Sequence, residues 1–238
     1  MVDIHSHILP MVDDGARSWE MAVEMVKMAE LDGVTRMVAT PHANYEYEYN
    51  RESHTALLAE LQSKVGNGIE LILGCDFHLS LDNVEDALKN PGRYTIGSTR
   101  HLLIELSDLV VSSQIPNVLS TLMAKQMIPI LTHPERNPLL QRQPEHVEDW
   151  AEMGMLVQVT ASAVSGKWGK GVQKLAHWYA EKGLVHVLAS DAHSTSHRRP
   201  GLSEARKVFG KSFGESYAMA VVETNPMAIV QNQPFPEM

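Results

Sequence analysis

"DIHSHILPMVDDG", residues 3–15, places His5, His7, Asp3, Asp13, Asp14 and Gly15 within one short segment next to the first residue of the chain. The stretch "MVDIHS" (1–6) reads as a strand, so its two imidazoles, two positions apart, share one face at its carboxyl end. A surface strand can carry His-x-His by accident. A metal centre needs it, provided that further ligands arrive from other segments. The reading of the fold therefore turns on what the remaining strands carry at the same end.

Short apolar runs alternate with longer amphipathic stretches. After the first strand, residues 18–33 read as a helix: Ser18 is the N-cap, Ala22, Met25, Val26 and Ala29 fall on one face, and Gly33 suits the stop. Further strands read at 34–40, 69–75, 100–106, 128–132, 155–160 and 185–190. Helices read at roughly 50–65, 116–126, 145–153 and 169–182, with Pro116 in a first turn, and the tail from 202 reads as mostly helical. Regular βα alternation over about seven strands argues for a parallel sheet, with a closed barrel ahead of an open sheet. Nothing in composition or repeats marks a second domain, so residues 1–238 are expected to form one.

Polar residues recur where these strands end. The first ends in His5 and His7, and the second runs into "TPHAN" with His42. The third ends in "GCDFH" with Asp76, and the fourth in Glu105. The fifth runs into "THPERN" with His133, Glu135 and Arg136, and the last into "SDAHS" with Asp191 and His193. In a β/α barrel the carboxyl ends of the strands converge on one face. Imidazole with carboxylate and no thiolate suits manganese, iron, zinc or magnesium. The other histidines read as bystanders: His101 and His186 sit at the wrong strand ends, His54, His146 and His177 fall in helices and are expected to be solvated, and His78 lies two residues past Asp76.

Bulk properties narrow the classes. A net charge of −9 argues against a nucleic-acid binder with a generally basic surface. The single cysteine, Cys75, excludes an intramolecular disulfide and a Cys-rich zinc cluster. A cysteine phosphatase needs an arginine six positions after its nucleophile, and Leu81 stands there. No lysine ends a strand, which weighs against an amide-cleaving barrel hydrolase with a carboxylated lysine. No long apolar run reads as a signal peptide or membrane span, so a cytoplasmic protein without membrane insertion is expected.

The segments "DIHSHILPMVDDG", "ATPH", "LIEL", "THPER" and "SDAH" followed by "RRP" resemble the polymerase and histidinol phosphatase (PHP) superfamily. Within it they resemble the bacterial CpsB-type tyrosine-protein phosphatases of capsule and exopolysaccharide synthesis. The resemblance runs from residue 1 to about residue 200. It implies a distorted seven-stranded (β/α) barrel with three divalent metals, manganese first. His5, His7 and Asp191 would hold one ion, Glu105 and His133 a second, and Asp14, His42 and His193 a third. Asp76 would bridge the first two, at a position where the family pattern has Glu. Arg136 matches the family's H-P-E-R arginine. Arg199, before Pro200, matches its later phosphate-binding arginine, with Arg198 as an adjacent alternative.

The implied reaction is hydrolysis of phosphotyrosine by a metal-bridging hydroxide, on the tail of a membrane-associated bacterial tyrosine kinase. Arg136 and Arg199 would clamp the phosphate, and His42 is one candidate proton donor. Tyr45, Tyr47 and Tyr49 follow His42; one of them stacking on a substrate ring is set against a plain solvated loop, which is favoured. Another phosphoesterase of the superfamily, acting on histidinol phosphate or nucleic acid, is the alternative, and oligomeric state is open.

Overall fold

The computed structural model describes residues 1–235. The last three positions of the expected 1–238 domain lie outside the described residues. The helix expected at 18–33 spans Trp19–Leu31, and Ser18 Oγ accepts from the Met21 N–H at 3.3 Å. Ala22, Met25, Val26 and Ala29 are its buried face. It ends at Asp32, and Gly33 follows at φ 91°, a left-handed conformation that glycine adopts without strain. Helices Arg51–Val65, Ile115–Ala124, Glu145–Glu152 and Lys170–Glu181 match the remaining expectations within a residue or two. Helix Leu81–Lys89 escaped the sequence reading; it is short, with Val84 and Ala87 as its buried residues.

The strands are β1 (Val2–Ser6), β2 (Arg36–Ala39), β3 (His42–Ala43), β4 (Glu70–Leu73), β5 (Asp76–His78), β6 (His101–Glu105), β7 (Ile128–Thr132), β8 (Leu156–Thr160) and β9 (Val187–Ala189). All pairings are parallel, in the orders β1-β2-β4 and β3-β5-β6-β7-β8-β9. β2 and β3 are two halves of one strand broken at Thr40 and Pro41; β4 and β5 are two halves broken at Gly74 and Cys75. Hydrogen bonds from Gly74 N to Ala39 O (2.8 Å) and from Asp76 N to Pro41 O (3.1 Å) carry the ladder across both breaks. Nine segments thus make seven strands. Closure comes from the Ser6–Ala192 bridge, with Asp191 N donating to His5 O at 2.9 Å and His7 N to Ala192 O at 2.8 Å. The fold is a distorted (β/α) barrel.

Two apolar clusters divide the core. Val2, Ile4, Val38, Leu103, Ile130, Leu156, Val187 and Ala189 fill the barrel interior, joined by Ile229 from the C-terminal helix Asn225–Val230. That segment lies under the amino-terminal end of the barrel, where Asn225 Nδ2 donates to His186 O and Asn232 Oδ1 accepts from Arg100 N. The alternate residues, among them Met37, Leu102, Ile104, Leu131, Val157 and Leu188, pack outward against the helices. Each large side chain so buried contributes about 1.5–3 kcal/mol. The amino-terminal end of the barrel is therefore plugged, and the open end is the one at the carboxyl ends of the strands.

Candidate metal centre

The opening motif reaches the interior through an irregularity. On β1, Asp3 pairs with Met37 and Ser6 pairs with Ala39, so three residue steps face two. One extra residue reverses the alternation of faces. Val2 and Ile4 can then join the interior core while His5 and His7 also point inward. Gly15 closes the motif: a Cβ there would lie 2.1 Å from His7 O and 2.5 Å from His7 Cβ. Ala16 N donates to His7 O at 3.0 Å, folding the loop back onto the strand. His133 and Asp191, just past β7 and β9, hold left-handed φ values of 35° and 50°, a strain that concentrates at functional sites.

Three imidazoles are oriented from behind. His5 Nδ1 donates to Gln158 Oε1 (2.9 Å), His7 Nδ1 to Asp13 Oδ2 (2.7 Å), and His193 Nδ1 to Asp191 O (3.0 Å). Such bonds fix the tautomer and leave Nε2 as a lone pair. His5 Nε2 and His7 Nε2 are only 3.2 Å apart. Two ring nitrogens at that distance need a cation between them, either a proton or a metal ion. Both Asp76 oxygens, Asp191 Oδ1, His42 Nδ1 and His193 Nε2 are likewise buried without a hydrogen-bond partner. Orphaned donors of this kind are costly unless they coordinate something, and nitrogen and oxygen donors together fit divalent cations.

The donors gather in three groups whose atoms lie within 4.8 Å of one another: His7, Asp14, His42 and His193; His5, His7 and Asp76; and His42, Asp76 and Glu105. Asp191 Oδ1 lies 3.5 Å from His5 Nε2 and 3.6 Å from His7 Nε2, and His133 Nε2 lies 3.7 Å from Glu105 Oε1. All nine expected ligand residues therefore converge. Their grouping differs from the implied one at His7, which joins two of the groups, and at His42, whose Nε2 faces Asp14 (3.4 Å) while Nδ1 faces Asp76 (3.3 Å) and Glu105 (3.7 Å). The short Asp76 side chain stays close to its strand, and the imidazole ring spans the distance to it.

Protons respond to this crowding. Burial opposes charging His5, yet the carboxylates of Asp76 and Asp191 lift it to about 9. His7 goes the other way, to about 3, because burial combines with the neighbouring His193 and His42. Burial also opposes a charged His42, but the carboxylates of Asp14 and Asp76 facing it carry it to about 11. Burial and the nearby Asp76 push Glu105 up, while Asp191, though buried, is held well below the usual carboxylate range by Arg136 and His5.

Two arginines complete the rim. Arg136 Nη1 and Arg198 Nη2 each lie 2.6 Å from Asp191 Oδ2. Arg199 is exposed and lines a separate groove with Asp32, Lys167 and Pro200, so of the two neighbours it is Arg198 that turns to the cluster. Glu135 does not join the donors; its Oε1 accepts from Thr160 N at 2.9 Å, and burial raises it to about 6. His78, read as a bystander, is 3.8 Å from Glu105 Oε2. His54, expected in solvent, is buried edge-on against Tyr49, because its helix turns that position toward the core. Tyr45 stands out in solvent, Tyr49 is buried, and Tyr47 stacks on His42. Asp13, Gln158 and Trp168, which touch side chains of the cluster, were given no role from the sequence. Asp13 stood in the opening motif, and Gln158 had a signal of its own, a polar residue inside the buried run "MLVQVT".

A closed α/β barrel with a cluster of orphaned imidazoles and carboxylates at its carboxyl rim is the architecture of a metal-dependent hydrolase. The chain belongs to the capsular polysaccharide synthesis CpsB/CapC family, whose model matches residues 1–231. It is 30% identical to the tyrosine-protein phosphatase YwqE of Bacillus subtilis, over 98% of this chain and 92% of that protein. It is 29% identical to the tyrosine-protein phosphatase CpsB of Streptococcus pneumoniae, over 98% and 99%. A crystal structure from work on these same two proteins, described as metal-dependent tyrosine phosphatases, superposes with a TM-score of 0.91 at 29% identity, covering 100% of this chain and 97% of that one.

Proposed function

We propose that this chain is a metal-dependent protein-tyrosine phosphatase. The observation that carries the reading is the convergence of orphaned nitrogen and oxygen donors beside two arginines that share one carboxylate oxygen. His5, His7, Asp14, His42, Asp76, Glu105, His133, Asp191 and His193 are the ligands, for up to three divalent cations with manganese first. When bound, such ions acidify water and offset phosphate charge. Arg136 and Arg198 bind the phosphate dianion, for which they would exchange their contact with Asp191 Oδ2; a planar guanidinium meets two phosphate oxygens at once. His42 has both ring nitrogens turned to carboxylates, so we take it as a ligand rather than a proton donor. A tyrosine leaving group has a pKa of about 10 and needs little help from an acid.

The family's place in capsular polysaccharide synthesis supports a substrate of the same setting, the phosphotyrosine-bearing tail of a bacterial tyrosine kinase, met in the cytoplasm. No described helix is long and apolar enough to cross a membrane. The test compares turnover of a phosphotyrosine peptide, histidinol phosphate and single-stranded DNA by protein loaded with manganese. Preference for the peptide, abolished by a chelator and by His5→Ala, is expected. Full activity of His5→Ala, or preference for either other substrate, would overturn the reading.

A further inference from the structure

Among the described residues, Trp168 belongs to neither apolar cluster. Of the four tryptophans, Trp150 is buried and Trp19 and Trp178 pack on the outer core, but Trp168 keeps 39% of its surface in solvent. Its polar neighbours are two guanidiniums and a hydroxyl. The guanidinium carbon of Arg136 lies 4.4 Å from the ring, that of Arg198 lies 5.8 Å away, and Nε1–H donates to Ser162 Oγ at 2.8 Å. The loop is pinned on both sides: Gly166 and Gly169 take left-handed φ values of 80° and 89°, and Lys167 pairs with Glu204. Core packing therefore does not cover the whole of this indole. Cation–π contact accounts for part of its surface, and 39% of that surface stands open to solvent.

We propose that Trp168 is a substrate-binding residue that receives the aromatic ring of an aryl phosphate on its open surface and so sets a preference for aryl over alkyl esters. The inference rests on the phosphatase reading above. In phosphotyrosine one ester oxygen separates phosphorus from the ring. A phosphoryl group held by Arg136 and Arg198 therefore brings that ring next to the indole those guanidiniums already touch. Offset or edge-to-face aromatic contact is the arrangement that favours such pairs. The side chain of phosphoserine has no ring to place there. Tyr47, the other aromatic at the rim, already has one face on His42.

The experiment measures kcat and KM for a phosphotyrosine peptide and for its phosphoserine counterpart with wild type, Trp168→Phe and Trp168→Ala, each loaded with manganese and matched by circular dichroism and melting. Trp168→Ala is expected to raise KM for the phosphotyrosine peptide about tenfold, with kcat nearly unchanged and the phosphoserine KM unmoved. Trp168→Phe is expected to restore most of the loss. In parallel, free phosphotyrosine should quench indole fluorescence in wild type and not in Trp168→Phe, whereas inorganic phosphate should quench neither. Equal proportional losses on both substrates, no loss at all, or quenching that survives Trp168→Phe would overturn the proposal while leaving the phosphatase reading intact. A wild type that turns over no phosphotyrosine would overturn both.

Discussion

Gly15 has no side chain because His7 leaves no room for one. The loop from Met11 to Ala16 closes on the strand it left, and the contact falls on the residue that presents an imidazole to the cluster. Gly15→Ala is expected to displace His7, to destabilise the protein by about 1–3 kcal/mol through overpacking, and to lower bound metal measured after desalting. The same scale separates the arginines. Arg198→Ala is expected to reduce kcat/KM for a phosphotyrosine peptide by about a hundredfold, the loss that follows removal of one donor aimed at developing charge. Arg199→Ala, on an exposed side chain facing another groove, should stay within about threefold, as surface substitutions usually do. Steady-state kinetics decide both. The sequence did not choose between the neighbours: "RRP" offers two guanidiniums, and only the turn after His193, with His193 N and Ser194 N both donating to Arg198 O, aims one of them inward.

Elements set what the residues can do. β1 would put Val2, Ile4 and Ser6 on one face and Asp3, His5 and His7 on the other if it were regular, and either the core or the site would lose its residues. The extra residue between Asp3 and Ser6 serves both. At the opposite end of the barrel, His101 and His186 lie at strand starts, where burial depresses each to about 4. His186 Nδ1 accepts from Val157 N at 3.0 Å, which only the neutral ring can do. An unfolded histidine titrates near about 6.5, so between about 6.5 and about 4 the unfolded chain binds more protons than the folded one. The stability these two residues contribute is therefore complete above about 6.5 and declines as pH falls toward 4. Urea melts of metal-free protein at pH 7 and pH 5 should show this loss. Replacing His101 with Phe should make the decline shallower, and an unchanged slope would refute the assignment.

For the whole molecule, the cluster is a stability problem that cations would solve. Carboxylates of Asp76, Glu105 and Asp191 and imidazoles of His5 and His7 are held together in a confined space where both Asp76 oxygens and Asp191 Oδ1 lack a hydrogen-bond partner. An ion that binds only the folded state at a hundredfold excess over its Kd adds about 2.7 kcal/mol. For a chain of this size each kcal/mol is worth about 2–4 °C of Tm. Chelation is therefore expected to lower Tm by roughly 5–10 °C for each occupied site, and titrating manganese back should restore it. Scanning calorimetry with and without chelator measures this, and an unchanged Tm would count against the donor set as a metal centre.

The candidate ligand residues, the alternation of strands and helices and the plan of a barrel were legible in the chain because they are local. Apolar periodicity marks each element, and chemistry-bearing residues recur just past the strand ends, from His5 to His193. What the tertiary structure alone decided is how these side chains are aimed. The extra residue in β1, the two breaks in the second and third strands, His42 facing two sides at once, Arg198 in place of Arg199, and Trp168 beside both arginines all depend on distances between segments far apart in sequence. Spacing along a strand fixes which face a side chain takes only while the ladder is regular. Where the ladder bulges or breaks, the contacts across the barrel determine the outcome.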